Sequence, residues 1–290
     1  MPKTYTIGLD FGTDSVRSLL VDVNTGEVLA NAYSFYPRWS EGKYVDASKH
    51  QYRQHPLDYI ESMESVICEI LDGINSQDKK SVIGIGVDTT GSTPCPVDSN
   101  GTPLSLKSNF KHNPNAMFHL WKDHTAINEA KKINEVNSNF EIDYLKYVGG
   151  VYSAEWYWAK IAHTNKVDKK VRDAAYTWFE HCDWIPFLLT GGSDANQIMR
   201  SRCAAGHKAL WHKTFKGIPS IEFLSSIDID LSNFNPSCFN KTYTSDVAVG
   251  KLSEKWAKQL GLSNNVIVSV GSFDAHMGAV GGQIEPNYVS

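Results

Sequence analysis

Two aspartates stand where strand-like runs give way to small, turn-forming residues, and each has company that suggests chemistry. The first is Asp10, in GLDFGTDSVRSLLVD (residues 8–22). Gly12, Thr13 and Ser15 follow it. Backbone N–H groups of such a turn, with the two hydroxyls, can cradle phosphate oxygens, and Arg17 can add positive charge. A carboxylate repels phosphate but suits Mg2+. That ion keeps several waters and takes only one or two carboxylates, so Asp10 would hold it through water. Gly12 is the residue able to supply the positive φ of a tight hairpin. By itself the pattern also describes a plain structural hairpin, with Asp10 and Asp14 as turn formers.

The second is Asp274, in GSFDAHMG (residues 271–278). It follows an apolar run at 266–270, at the carboxyl end of a strand, where α/β sheets place ligands. A carboxylate there can accept the proton of an attacking hydroxyl and align it for in-line transfer. The same residue would also serve as N-cap for a helix starting near Ala275. His276 projects from another helix face. With no second His or Cys at metal-ligand spacing, it reads as a core or supporting histidine.

Three further stretches could line a pocket. VDTTGSTPCPVD (residues 87–98) offers the hydroxyls of Thr89, Thr90, Ser92 and Thr93, either to a hydroxyl-rich ligand or to local backbone groups. In LWKDHTA (residues 120–126), Trp121 reads as a packing residue. Asp123 there is a pocket-wall residue or an acid favoured by a helix N-terminus. In RCAAGHKALWH (residues 202–212), Lys208 follows a run of small residues that lets a ligand or another backbone approach.

The elements positioning these residues follow from periodicity. Strands at 5–10, 16–23 and 27–36, with a turn at 24–26, make an antiparallel meander. Pro56 opens a helix whose stripe is Leu57, Ile60, Met63, Ile67, Ile70, Leu71 and Ile74. Residues 81–88 suit a buried strand. Helical patterns then cover 123–137, 153–163 and 168–179, with Trp156, Tyr157 and Trp158 as insertion core or cleft wall. Strands return at 246–252 and 266–270 around a helix at 253–260. This is an α/β domain with a helical insertion.

Composition bounds the rest. The chain has 290 residues, 41% hydrophobic and 21% charged, with net charge −4. That gives no electrostatic footprint for nucleic acid or anionic membranes. Five cysteines without a CxxC pair argue against a disulfide framework or a zinc site. No apolar run approaches the roughly 20 residues that span a bilayer. The N-terminus shows no apolar signal core, so the expected setting is the reducing cytoplasm.

In their order along the chain, GLDFGTDSVRSLLVD, YPRWSEGKYVDA, HPLDYIESME, GIGVDTTGSTPCPVD, NPNAMFHLWKDHTA, GGVYSAEWYWAKI, RCAAGHKALWH and GSFDAHMGAVG resemble the FGGY carbohydrate kinases, in the branch that acts on L-ribulose. The resemblance spans residues 8–281. It implies an RNase H-like fold of the actin, Hsp70 and sugar-kinase superfamily, with a mixed five-stranded sheet and flanking helices. It implies that residues 1–290 are the N-terminal, sugar-binding half, and that a C-terminal nucleotide-binding domain lies outside this chain. Residues 283–290 then read as a connection onward, and the chain alone would be catalytically incompetent. The implied reaction is transfer of phosphate from ATP, with Mg2+, to L-ribulose, giving L-ribulose 5-phosphate in arabinose catabolism. Carried over, Asp274 is the catalytic base and contacts substrate, as do Cys95, Asp123 and Lys208. Gly12, Thr13, Ser15 and Arg17 hold phosphate, and Asp10 holds Mg2+. A homodimer is left open. Two departures bear on substrate. Gly91 and Ser92 replace the Arg-Glu pair of glycerol kinases, which suits a bulkier ketose. Thr125 stands where many members carry arginine. Kinases for D-xylulose or D-ribulose, an actin-like or Hsp70-like ATPase module, and a sugar sensor are the competing readings. The intact Asp10, Gly12, Thr13 and Asp274 set argues against a sensor.

Overall fold

The computed structural model describes residues 3–283, so all but the first residue of the stretch 283–290 expected to lead onward lies outside the described residues. Strand β1 (Tyr5–Phe11) buries every second side chain, Tyr5, Ile7, Leu9 and Phe11. The period of two therefore turns Thr6, Gly8 and Asp10 to the opposite face. Strand β2 (Ser15–Asp22) returns antiparallel, from Phe11 opposite Val16 to Tyr5 opposite Asp22. Strand β3 (Val28–Phe35) completes the meander. Helix α1 (Pro56–Asp72) carries Pro56 in its first turn, and its N-cap is His55, whose Nδ1 accepts from the Leu57 N–H. It buries Tyr59, Met63, Val66, Ile67 and Ile70. Strand β4 (Val82–Thr89) then lies parallel to β1.

The insertion includes helices Ile127–Ser138, α2 (Tyr157–Val167), α3 (Arg202–Lys208) and Ile221–Ile227. It has its own core of Ile133, Tyr157, Trp158, Ile161, Phe223 and Leu224. The helix expected at 168–179 is short. Lys169–Ala174 is helical, and Thr177–Glu180 is a strand paired antiparallel with Pro94–Val97. All four residues of TWFE are buried, a β-branched and aromatic composition that fits a sheet better than a helix surface.

Strand β5 (Ala248–Lys251) runs antiparallel to β6 (Ile267–Ser269), which lies parallel to β4. Strand β7 (Ser272–Phe273) continues along β4 and leads into helix α4 (Asp274–Gly281). The sheet order is β5-β6-β4-β1-β2-β3, with β7 also beside β4, seven strands in all. Five of them, β3-β2-β1-β4-β6, form the expected mixed sheet. The other two are edge strand β5 and the broken continuation β7. At the break Gly271 comes close to the Cys182 backbone, where a Cβ would lie 2.1 Å from the carbonyl oxygen. Helices His181–Leu189 and Glu254–Leu260 join α1 on the main core through Trp184, Ile185, Trp256 and Leu260. All five cysteines are free thiols. Among the described residues no helix is long and apolar enough to cross a membrane.

Candidate active site

The parallel pairing of β1 with β4 sets Asp10 directly opposite Asp88. On the other side of β4, Ser272 of β7 pairs with Asp88, so Asp274 arrives at the same end of the sheet two residues later. Three carboxylates therefore converge. Burial pushes Asp88 up to about 7, helped by the charges of Asp10 and then Asp274. Its Oδ1 is buried without a hydrogen-bond partner. Burial also raises Asp274, with Asp10 adding to the effect and His276 and Lys208 opposing it. Asp274 is the first residue of α4 and its carboxylate makes no N-cap bond; its Oδ1 accepts from the Ala275 N–H at 2.6 Å. Its side chain is thus left for the cleft. Sequence reasoning missed Asp88. The signal was its place at the end of an apolar run that had to pair beside β1.

The hairpin after Asp10 closes with the Gly12 N–H donating to the Ser15 carbonyl at 2.9 Å. Gly12 does not adopt the expected positive φ. Glycine is suited here for room, because a Cβ would sit 3.3 Å from the Ser15 carbonyl oxygen. The Thr13 hydroxyl accepts from the Trp121 indole at 3.0 Å, and the buried Ser15 hydroxyl donates to Asp14 at 2.9 Å. Arg17 reaches Asp10 at 3.0 Å rather than the turn itself. Its guanidinium still passes 3.9 Å from the position of a Gly12 Cβ, within reach of an anion on the hairpin. Among the described residues no three His, Cys, Asp or Glu side chains are placed to bind a metal directly. Two facing carboxylates, one with an orphaned buried oxygen, do fit a hydrated Mg2+, with Asp10 and Asp88 as its outer holders.

Thr13, Thr90, Gly91, Trp121 and Asp274 line a cleft of about 270 Å³. Trp121, read from sequence as a packing residue, is more than a third exposed and faces this cleft. Gly91 allows the loop after β4 to meet Phe273, since a Cβ there would fall 2.0 Å from the ring. The other hydroxyls of the loop are spent locally. Thr89 donates to the Thr90 carbonyl, Thr90 and Thr93 bond each other, and Ser92 bonds Glu180. Lys208 is 8% exposed, and its Nζ stands 4.7 Å from the Trp156 ring and 6.0 Å from the Phe273 ring. Among the described residues the ammonium has no hydrogen-bond partner. Burial lowers its pKa, while Glu180, Glu155 and Asp274 pull it upward.

Two expected sugar contacts are not placed for that role. Asp123 is fully buried, and its carboxylate is taken by Arg53, by the Tyr52 N–H at 2.7 Å and by the Thr125 hydroxyl at 2.6 Å. It braces the segment before the Ile127–Ser138 helix. Cys95 is fully buried in the main core, its thiol directed at the Pro96 and Ala116 carbonyls. His276 is no core residue. It is exposed, with Nδ1 3.3 Å from the Cys203 sulfur and its ring edge-on to His207.

A model of the FGGY family of carbohydrate kinases, N-terminal domain, matches residues 5–281, and the chain belongs to that family. It is 48% identical over 280 residues to a ribulokinase of Vibrio parahaemolyticus, covering 96% of this chain and 49% of the relative. A ribulokinase of Geobacillus thermodenitrificans is 36% identical over 295 residues, covering 99% and 50%. The chain thus spans about half the length of the curated relatives it matches. Among solved structures, a xylulose kinase from Rhodospirillum rubrum superposes with a TM-score of 0.74 at 17% identity, over 97% of this chain and 51% of that one. Plasmodium falciparum glycerol kinase with ADP gives 0.72 at 14% identity, over 97% and 51%. At such identities the likeness speaks for the fold.

Proposed function

We propose that this domain is the sugar-binding half of an ATP-dependent kinase that converts L-ribulose to L-ribulose 5-phosphate. The observation that carries the reading is the meeting of Asp274 and the Thr13 hairpin at one cleft, with the Asp10 charge near enough to raise the Asp274 pKa and the desolvated Lys208 ammonium nearby. The choice of ketose rests on the ribulokinases that the chain resembles. In this reading Asp274 accepts the proton of the attacking sugar hydroxyl as its oxygen bonds the γ-phosphorus and the bond to ADP breaks. Lys208 donates to another sugar hydroxyl. The Gly12–Ser15 hairpin, through the N–H and hydroxyl of Thr13, with Arg17, holds the transferring phosphate. Asp10 and Asp88 hold Mg2+ through water; when bound, it neutralises phosphate charge. A second domain supplies most of the nucleotide pocket, as the half-length match supports.

Calorimetric titration of this chain with L-ribulose, D-xylulose and MgATP tests the reading. The expected result is L-ribulose binding that Asp274→Asn weakens tenfold or more, with little heat from MgATP. MgATP hydrolysis without any sugar response would overturn it in favour of an ATPase module.

A further inference from the structure

The cleft has two sides that come from distant parts of the chain. One is the loop after β4 that carries Thr90 and Gly91. The other is the segment ending in Leu120 and Trp121. Among the described residues no hydrogen bond joins these segments directly. Both instead meet one buried cation. Lys160, on α2, has no exposed surface, and its Nζ donates to the Ser92 carbonyl at 2.8 Å, the Leu120 carbonyl at 2.8 Å and the His119 carbonyl at 3.2 Å. Three N–H groups thus meet three carbonyls, with no carboxylate among them. Ser92 adjoins Gly91, and Leu120 adjoins Trp121, so the bonds end one residue from the cleft lining on each side.

Burying an ammonium is costly, and an apolar residue would fill the same volume more cheaply. The usual compensation, a paired carboxylate, is missing. The two buried acids whose charge reaches it are occupied otherwise: Asp123 by Arg53, Tyr52 and Thr125, and Glu180 by the Ser92 hydroxyl and the Thr93 N–H at 2.8 Å. What Lys160 achieves that an apolar residue would not is to fix two backbone segments relative to each other. We infer that Lys160 is a positioning residue that sets the spacing of the two cleft sides, and hence the fit of the sugar. The inference rests on the sugar-kinase reading above. Burial lowers the Lys160 pKa to about 7, with the charges of Asp123 and then Glu180 pulling it back upward.

The test compares the wild-type chain with Lys160→Met and Lys160→Arg. L-ribulose affinity is measured by calorimetry, and amide hydrogen exchange is followed by mass spectrometry. Lys160→Met should weaken L-ribulose binding at least tenfold. Exchange should speed up in 90–93 and 119–123 while the β1–β4 strands stay protected. Lys160→Arg keeps the charge, but its planar fork cannot meet three carbonyls as the tripod of an ammonium does. It should lose at least threefold in affinity, with the same local exchange pattern, which keeps the inference testable if the Met variant does not fold. Wild-type affinity in either folded variant overturns it, and so does faster exchange spread evenly over the chain. If the wild type itself binds no L-ribulose, the sugar-kinase reading has failed. The exchange pattern then still decides whether Lys160 holds both segments.

Discussion

Asp88 lies directly across the parallel β1–β4 pair from Asp10, and the two carboxyl groups share the strand ends with Asp274. Asp88 therefore keeps its proton to about pH 7, whereas in the unfolded chain it ionises near 3.8. Between those values the folded state holds a proton that the unfolded state has lost, so stability falls as pH rises and levels off above 7. Asp88→Asn removes the penalty. In metal-free buffer it should stabilise the domain by about 1–2 kcal/mol at pH 8 and hardly at all at pH 4.5. Denaturant melts at the two pH values decide the matter, and a variant less stable at pH 8 would refute it.

Lys208 carries a second electrostatic cost. Its pKa is lowered by burial, so the folded state releases this proton before the unfolded state does, and the charge destabilises the fold at neutral pH. Lys208→Met should hold or raise stability by about 1 kcal/mol. It should also weaken sugar binding by roughly ten- to a hundredfold, as expected for one lost charge-assisted hydrogen bond. Loss of stability with sugar affinity intact would assign Lys208 to the scaffold instead.

Asp123 should behave in the opposite way. Removing one member of the buried Arg53–Asp123 pair leaves the other charge unmatched, so Asp123→Asn is expected to cost about 3–5 kcal/mol. The fraction that remains folded should bind sugar with wild-type affinity. A calorimetric titration that shows weakened binding at unchanged melting temperature would restore Asp123 to the pocket.

Gly91→Ala tests the contact between the loop after β4 and the residue preceding the proposed base. The added methyl would overlap the Phe273 ring, which must move, and Asp274 is its neighbour. We expect a loss of about 1–3 kcal/mol from overpacking, together with at least tenfold weaker L-ribulose binding. Sugar affinity equal to that of wild type would show that the loop and the ring adjust without disturbing the cleft.

Much of the frame was legible because it depends on local period. The alternation of Tyr5, Ile7, Leu9 and Phe11 gives β1, and the stripe from Ile60 to Leu71 gives α1. The hairpin and Asp274 were legible because glycine, hydroxyl and acid stand together in short motifs. What escaped depends on distant partners. Thr177–Glu180 looked like the tail of a helix until Pro94–Val97 paired with it. Gly271 has no room for a side chain because of a carbonyl from Cys182, far back in the chain. Asp123 and Cys95 have residue types suited to ligands, yet Arg53 and the core claim them. Lys160 resembles any helical lysine, and only the tertiary fold shows that its three N–H groups meet two separate segments.

Trp121 gives the domain an optical property of its own. Of the eight tryptophans it alone is more than a third exposed, and its indole N–H is bonded to Thr13 on the hairpin while its ring borders the cleft. The seven others lie in or beside packed surroundings. A molecule entering the cleft would dry one face of this ring, and an anion accepting the Thr13 hydroxyl proton would polarise the oxygen to which its N–H is bonded. The domain thus carries a native fluorophore at the junction of its two proposed subsites, able to report occupancy of either one without a label.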